Sequence, residues 1–314
     1  MELANQVQAK PFTPDIRVAT RGDVGEVMRL LETAVYRHVH TDWYLPGDWL
    51  GSPGFVILPK TSSSPLSRAA QFMGVRQPVA ACLAAGADVA PVAWVRVAAL
   101  NADLPAPEEV LAAMLARVEA HLQRQRITEL AWMLAEAWPR RWLVNGGFYL
   151  VNEIETYVKE DTAVPPMPTL PYLTIRPVQE ADFDKLADLE TAAFAPLWRH
   201  SAHALRLASQ RAFSFDMAVW EETAVAFQLS SRTENGAHLV RLTVHPDYQG
   251  QGIGSTLLAY ALAGYHQRGL HTVTLNTQID NFPSQKLYRN FGFQPSGYRL
   301  PVWLKELEPA HHSK

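Results

Sequence analysis

Hydrophobic positions fall into the same arrangement twice along this chain. Ile16-Arg17 predicts a short strand, and beyond Asp23 the residues Val24, Val27, Leu31 and Val35 recur at helical spacing. Ile175-Arg176 predicts a second such strand, and beyond Asp182 the spacing returns in Phe183, Leu186, Leu189 and Ala193. The string Leu31-Glu32-Thr33-Ala34 comes back as Leu189-Glu190-Thr191-Ala192, and Gly147-Phe148 follows a short helical stretch as Gly292-Phe293 does. Repeated strings in repeated surroundings mark an internal duplication, so the chain reads as two copies of one fold.

In the carboxy-terminal copy the pattern predicts a strand at Thr174, helices over Asp182 to Phe194 and Ala202 to Gln210, and strands near Ser214 to Trp220, Thr223 to Ser230 and His238 to Val244. A helix over Ser255 to Arg268, a strand at Thr272 to Thr277, a short helix over Pro283 to Asn290 and a last strand near Tyr298 to Leu304 complete it. Strands and helices mixed on this scale give an α/β (α+β) fold, a central sheet covered by helices. Between the copies lies Val164-Pro165-Pro166-Met167-Pro168-Thr169-Leu170-Pro171, which favours extended chain and interrupts any helix. It divides the sequence into an amino-terminal domain over 1–162, a linker over 163–171 and a carboxy-terminal domain over 172–314.

A length of 314 residues agrees with two domains of ordinary size. The 28 Lys and Arg against 31 Asp and Glu leave a formal charge of -3 with no basic stripe or acidic tail, which argues against nucleic acid or an anionic membrane as partner. The single cysteine, Cys82, stands in an apolar Ala-rich stretch and reads as a core residue. No Cys or His cluster at ligand spacing occurs, so no metal is expected. Met1 to Asp15 contains no apolar signal-like segment, and no run of about 18 apolar residues occurs. The expectation is a cytoplasmic protein, monomer or homodimer, with frayed ends at Met1 to Lys10 and Glu308 to Lys314.

The chemistry concentrates after the strand that holds Leu239, Val240, Leu242 and Val244. His245-Pro246-Asp247 ends it, Gln249-Gly250-Gln251-Gly252-Ile253-Gly254 follows, and an amphipathic helix then carries Leu257, Leu258, Ala261, Leu262 and Tyr265 to a stop at Gly269. A strand, a Gly-rich turn and a helix N-terminus gather free backbone N–H groups and the positive end of the helix dipole at one point, which suits a pyrophosphate. Glycine enters the conformations of such anion nests cheaply, and a Cβ at Gly252 or Gly254 would stand between amide and phosphate.

The run Val244-His245-Pro246-Asp247-Tyr248 with this loop resembles the signature of the GCN5-related N-acetyltransferases. Downstream, Asn281-Phe282-Pro283-Ser284-Gln285-Lys286-Leu287-Tyr288-Arg289-Asn290-Phe291-Gly292-Phe293 resembles that family's closing motif. The resemblance implies two tandem acyl-CoA N-acyltransferase-type domains, each a mixed, mostly antiparallel sheet flanked by helices. It implies acetyl-CoA as co-substrate, with Gln249, Gly250, Gln251, Gly252, Ile253, Gly254 and Ser255 at the pyrophosphate. Leu242, Thr243 and Val244 would pair by backbone with the pantetheine arm, Asn281 would hydrogen-bond near it, and the Leu242 strand would splay from its neighbour to admit it.

Acetyl transfer to an amine needs a base for the ammonium, stabilisation of the developing oxyanion and a proton for the leaving thiolate. The family's usual general acid is the tyrosine at the position of Tyr288, whose phenol is protonated at neutral pH. A backbone N–H near Leu242 or Thr243 would serve the oxyanion. For the base, His238 begins the strand and titrates near working pH. The stretch Ala237-His238-Leu239-Val240-Arg241-Leu242-Thr243-Val244-His245 is similar to the strand of arylalkylamine N-acetyltransferases that carries a base-pathway histidine, with Val240 where that strand has a second one. Glu221, Glu222 and Glu234 are the other candidates, while His245 before Pro246 shapes the turn. Relatives that acetylate ribosomal-protein N-termini place a glutamate base where this chain has Asn276, which cannot act as one.

In the amino-terminal copy the strand Val92 to Leu100 is followed by Asn101-Ala102-Asp103-Leu104-Pro105-Ala106-Pro107-Glu108-Glu109, without glycine and with acids where a pyrophosphate would lie. Leu143 falls at the Tyr288 position. This copy is therefore expected to be catalytically inactive, with its tryptophans Trp43, Trp49, Trp94, Trp132, Trp138 and Trp142 mainly in packing. The resemblance implies a small-molecule or peptide amine as acceptor, with Trp198, Arg199, His200 and His203 in a segment that often borders the acceptor site in that family. A tandem arrangement with one retained site is similar to that of mycothiol synthase. A non-catalytic acyl-CoA sensor is the alternative reading, against which Tyr288 argues, since binding alone needs no proton donor.

Overall fold

The computed structural model describes residues 14–60, 77–161, 163–166, 170–234 and 236–308. The expected tails fall outside these residues except at Glu308, as do Met167 to Thr169 of the Pro-rich stretch. The chain forms two compact units, one of Met1–Val39, Pro46–Ala85 and Arg96–His121, the other of His40–Leu45, Gly86–Val95 and Leu122–Lys314.

The first unit holds most of the amino-terminal pattern, with residues 86–95 and those from 122 onward in the second. Strands β1 (Arg17–Val18), β3 (Phe55–Pro59), β4 (Val79–Gly86) and β5 (Val92–Leu100) lie in that order, and β2 (Tyr36–Val39) pairs with β5. Helices α1 (Val24–Thr33) and α2 (Pro107–Arg124) belong to the same half. The buried face of α1 is Val27, Leu30 and Leu31, packed with Phe55, Ile57, Cys82 and Val97. Val24 and Val35, expected on that face, are 45% and 68% exposed. The helix ends at Thr33, so Val35 falls on extended chain where the 3.6-residue period no longer applies. Burial pushes the Cys82 thiol up to about 12, as its core position requires.

The second unit is built on the strand order β6 (Glu129–Met133), β13 (Gln294–Glu306), β7 (Tyr149–Lys159), β12 (Thr272–Gln278), β11 (Gly236–Val244), β10 (Thr223–Arg232), β9 (Ser214–Trp220) and β8 (Leu173–Pro177). All of these neighbours are antiparallel except β11 and β12, which run parallel. Helices α3 (Pro139–Asn145), α4 (Phe183–Ala193), α5 (Ala202–Ser209), α6 (Ile253–Gln267) and α7 (Phe282–Asn290) accompany them. One core cluster joins α6 and α7 to the sheet through Leu258, Leu262, Tyr288, Leu239 and Leu275, and another joins α4 and α5 through Phe183, Leu186, Leu205 and Phe227. The last strands are exchanged: β7, from the amino-terminal half, lies against β12, and β13, from the other half, lies against β6.

The duplication reaches individual hydrogen bonds. Asp23 takes both Arg17 Nη atoms at 2.8 Å and the Thr20 backbone N–H at 2.8 Å. Asp182 takes Arg176 at 2.7 and 2.8 Å and the Gln179 N–H at 2.8 Å. In each half a forked guanidinium fastens the strand to the turn that starts the helix. The Arg176 hydrogen bonds hold the Asp182 carboxyl below the usual carboxylate range. A depressed carboxylate pKa gives stability that is full above the unfolded value of about 4 and is lost as pH falls through the folded value. Asp182→Ala should therefore lower the urea-unfolding free energy by about 2 kcal/mol at pH 7, with the difference from the parent shrinking steadily as the titration is taken below pH 4.

Candidate active site

The two parallel strands are tightest where β11 begins. A Cβ on Gly236 would lie 2.0 Å from the Thr272 carbonyl oxygen, so only glycine allows the approach. Pairing continues from Gly236 opposite Thr272 to Leu239 opposite Leu275 and goes no further. On the other side β11 stays with β10, but Leu229 faces Arg241 while Ser230 faces Leu239, which leaves Val240 as an extra residue. This β-bulge bends β11 away from β12. From Val240 to Val244 one edge of β11 is thus open inside the sheet, as the expected splay at Leu242 required.

The loop after β11 is tied to that edge. Gln249 Nε2 donates to the Val244 carbonyl at 3.0 Å and Gln251 Nε2 to the Asp247 carbonyl at 3.1 Å. The Asp247 N–H donates to His245 Nδ1 at 3.3 Å, which fixes the turn around Pro246. Gly252 precedes α6 with φ of 86°, a left-handed conformation that glycine adopts without strain, and Gly250 has φ of 75°. Apart from the adjacent residues, no described protein atom lies within 4 Å of a Cβ built on either. No side chain caps α6, so its first N–H groups point into that open space. Helix α6 begins at Ile253, two residues ahead of the expected Ser255, because Ile253 is buried with Leu257 against Val244 and Leu242.

Asn281 caps α7: its Oδ1 accepts from the Ser284 N–H at 3.3 Å, and its Nδ2 donates to Gln278 Oε1 at 3.4 Å. Tyr288 lies on the inner face of α7 in the cluster that Leu239 belongs to and Leu242 packs against. It is 6% exposed, and burial pushes its phenol up to about 12, so the proton stays on at every neutral pH. The structure therefore gathers Leu242, Val244, the Gly-rich loop and Tyr288 on the α6–α7 face of the open edge.

His238 stands on the other face, since its neighbours Ala237 and Leu239 point into the α6–α7 core. Its Nδ1 meets Thr274 Oγ1 at 2.7 Å, and burial lowers its pKa, which favours the neutral imidazole. Asn276, two residues beyond Thr274, accepts from Thr156 Oγ1 at 2.9 Å. Glu221 and Glu222 sit exposed in the β9–β10 turn with φ of 44° and 74°, and Glu234 is exposed in the next turn.

Sequence reasoning passed over the group that organises this face. Glu190 of α4 is wholly buried and paired with Arg241 of β11. Arg241 Nε donates to Glu190 Oε1 at 2.9 Å and Nη2 to the Trp198 carbonyl at 2.6 Å, while the guanidinium lies 3.6 Å from the centre of the Phe194 ring. Thr243 Oγ1 donates to Glu190 Oε1 at 2.9 Å, and the His200 N–H to Oε2 at 3.2 Å. Thr243 thus presents its side chain to α4 and keeps its backbone at the open edge. The signal was an acid four residues after Leu186 on the apolar face of α4, matched by an arginine in the apolar run of β11.

The segment after α4 continues this wall. Leu197 packs with Val92, Ala131, Val151 and Leu304. Trp198 lies 5.9 Å from Trp94, and His200 lies 4.7 Å from Trp43. Asp88 accepts from the Ser201 N–H at 2.8 Å, just ahead of α5. Burial, and then Arg241, lower the His200 pKa, so this imidazole is also held neutral; His203 is exposed. Among the described residues no group of three His, Cys, Asp or Glu could hold a metal ion, and no helix is long and apolar enough to cross a membrane.

A parted parallel strand pair, a glycine loop at a helix N-terminus and a buried tyrosine thus meet in one place, and comparison with known proteins shows the family in which they occur. The model of the acetyltransferase (GNAT) family matches residues 183–293. The [ribosomal protein bS18]-alanine N-acetyltransferase of Haemophilus ducreyi is 30% identical over 120 residues, covering 38% of this chain and 81% of the relative. A mycothiol acetyltransferase of Brachybacterium faecium is 26% identical over 173 residues, 49% of this chain and 52% of that protein. The solved tandem GNAT protein from the clavulanic acid biosynthesis pathway has the same fold at 15% identity, with a TM-score of 0.60 over 95% of this chain and 100% of that one. The chain belongs to the GNAT family of acetyltransferases.

The buried ion pair makes a sharp demand on stability. Glu190→Leu leaves the Arg241 charge without its partner and should cost about 3–5 kcal/mol in urea unfolding, whereas Glu190→Leu with Arg241→Met should recover most of that loss. An equal loss in the single and double variants would show that the pair itself, and not the stranded charge, carries the stability.

Proposed function

We propose that this enzyme transfers acetyl from acetyl-CoA to a primary amine at the open edge of β11, with Tyr288 as proton donor and His238 as base. The observation that carries the reading is the coincidence of a sheet opened by the Val240 bulge with a protonated, buried tyrosine beside it. Gln249 to Ser255 would hold the pyrophosphate of the co-substrate through the free N–H groups at the start of α6. Their fit to an anion rests on the chain itself. Gly250 and Gly252 keep open space before those amides, and a Cβ at Gly254 would make only ordinary contact, 3.4 Å from Val244 Cγ2. Packing does not demand glycine at 254, and the missing side chain gives a ligand room to approach the backbone there.

Leu242, Thr243 and Val244 would supply backbone groups to an extended arm as a strand edge does, with Asn281 at the mouth of the fork. Acetyl-CoA, when bound, supplies the thioester that the amine attacks. Tyr288 Oη holds a proton for the sulfur, and its burial keeps that proton in place until a thiolate is there to take it. On the opposite face neutral His238, fixed through Nδ1 by Thr274, can take the ammonium's proton at Nε2 directly or through water.

The amino-terminal copy over 1–162 is read as catalytically inactive: Leu143, at the Tyr288 position, is a wholly buried core residue, and Pro107 opens α2 where the other copy has its glycine loop. The domain over 172–314, beyond the linker at 163–171, carries the reaction, as a cytoplasmic monomer or homodimer. The acceptor is a small-molecule or peptide amine. The H. ducreyi relative is named for the alanine of a ribosomal protein. That acceptor is not carried over, because Asn276 and its partner Thr156 occupy the place of the expected glutamate base.

Release of free thiol from acetyl-CoA across a panel of amines tests this reading. Tyr288→Phe should reduce kcat by about 100-fold or more while acetyl-CoA affinity stays the same, and Gly252→Glu should abolish that affinity. Tight binding of acetyl-CoA without turnover of any amine would favour a sensor instead. For the base, the depressed His238 pKa places the acidic limb of kcat/KM below the usual 6.5 of histidine, with rate rising as pH increases through it. His238→Gln should remove that limb; its survival would assign the base to another group.

A further inference from the structure

We infer that Tyr157, the wholly buried tyrosine of β7, is a positioning residue for the Tyr288 phenol, so that the amino-terminal half supplies part of the machinery of the carboxy-terminal half. The inference rests on the proton-donor reading of Tyr288.

Topology places Tyr157 there first. Strand β7 runs between β12 and β13, with Tyr157 opposite Leu275 on one side and Pro295 on the other. Its ring enters the same core as Leu239, Leu275, Tyr288 and Phe293. The Tyr157 and Tyr288 ring centroids are 6.3 Å apart at 51°, and Tyr288 meets Phe293 at 6.0 Å and 62°. A phenol hangs from its helix by two torsions, and it keeps one orientation when neighbouring rings bracket it. Tyr157 is one bracket and Phe293 the other.

The hydroxyl of Tyr157 adds a second constraint that a phenylalanine would not. A buried hydroxyl needs a partner. Arg289 Nη2 donates to Tyr157 Oη at 3.3 Å and to Gln285 Oε1 at 3.2 Å. Gln285 Nε2 in turn donates to the carbonyls of Ile279 at 2.8 Å and Gln278 at 3.1 Å. The bonds run from β7 along α7 to the segment that leads into Asn281. Strand β7 grips that segment again where the Ile279 N–H donates to the Glu153 carbonyl at 3.0 Å. Arg289 follows Tyr288 directly in the helix, so the Tyr157 hydroxyl sets the rotation of the turn that aims the phenol.

A residue that only fills the core would change stability and leave catalysis by Tyr288 alone; a positioning residue acts through Tyr288. A double-mutant cycle on the full-length chain separates the two, using Tyr157→Phe, Tyr288→Phe and their combination. Rates are measured with the amine turned over fastest in the panel, or with water as acceptor. Tyr157→Phe should lower kcat about five-fold at unchanged acetyl-CoA KM, and should cause no further loss in the Tyr288→Phe background. The same proportional loss in both backgrounds, a change in KM alone, or no loss in the parent overturns the inference and leaves Tyr288 as donor. Full activity of Tyr288→Phe by itself overturns the donor reading instead. With tyrosine labelled at Cζ, the Tyr288 line, identified by its absence in Tyr288→Phe, should broaden or split in Tyr157→Phe; an unchanged sharp line also overturns the inference.

Discussion

The loss of pairing between β11 and β12 after Leu239 is the constraint on which the rest of the site depends. Two features of the backbone produce it. Gly236 lets the strands meet closely at one end, and the extra residue at Val240 turns β11 toward β10 at the other. A buried strand edge is costly unless something pairs with it. Every element near the fork is arranged around that edge: α6 starts where β11 stops, Leu242 and Val244 seat the helix, and α7 brings Tyr288 to the same face.

The opposite face is held by charge. Glu190 is withdrawn from water and Arg241 largely so, and their desolvation is compensated because Thr243, the Trp198 carbonyl, the His200 N–H and the Phe194 ring complete the set. The pair links α4 to the part of β11 that has left β12. It also fixes the start of the segment that runs through Trp198 to Ser201, where Asp88 takes over. The wall opposite Tyr288 is therefore rigid through directional bonds, whereas the Tyr288 side is rigid through ring packing.

Much of this was legible in residue spacing. The carboxy-terminal elements stand close to where period and glycine placement put them, because amphipathic helices and alternating strands leave a local record. The repeat showed in Arg17 with Asp23 and Arg176 with Asp182, strings whose shared cause is the same salt-bridged turn. What escaped notice was non-local. Strand β13 begins at Gln294, ahead of the expected Tyr298, because Gln294 and Pro295 find partners in β7, and nothing in their own sequence records that partner. Glu190 drew notice only as part of the repeated string, because composition cannot tell an exposed acid from one whose arginine partner lies 51 positions away. Val35 failed for the opposite reason, since a period was extended past the helix that owned it, while Val24, inside the helix, lies off the face that Val27, Leu30 and Leu31 bury.

The exchange of β7 and β13 also bears on how the chain is made. Strand β6 is synthesised well before the strand that covers its edge, β13, which comes from Gln294–Glu306. Until that segment has been made and has folded back, β6 has an open edge of the kind that invites pairing with foreign strands. Strand β7 likewise waits for β12. Assembly of the second unit is therefore a late event that closes from both ends at once. A truncation of the final strand would act far from where it was made, on the edge of a strand near the middle of the sequence.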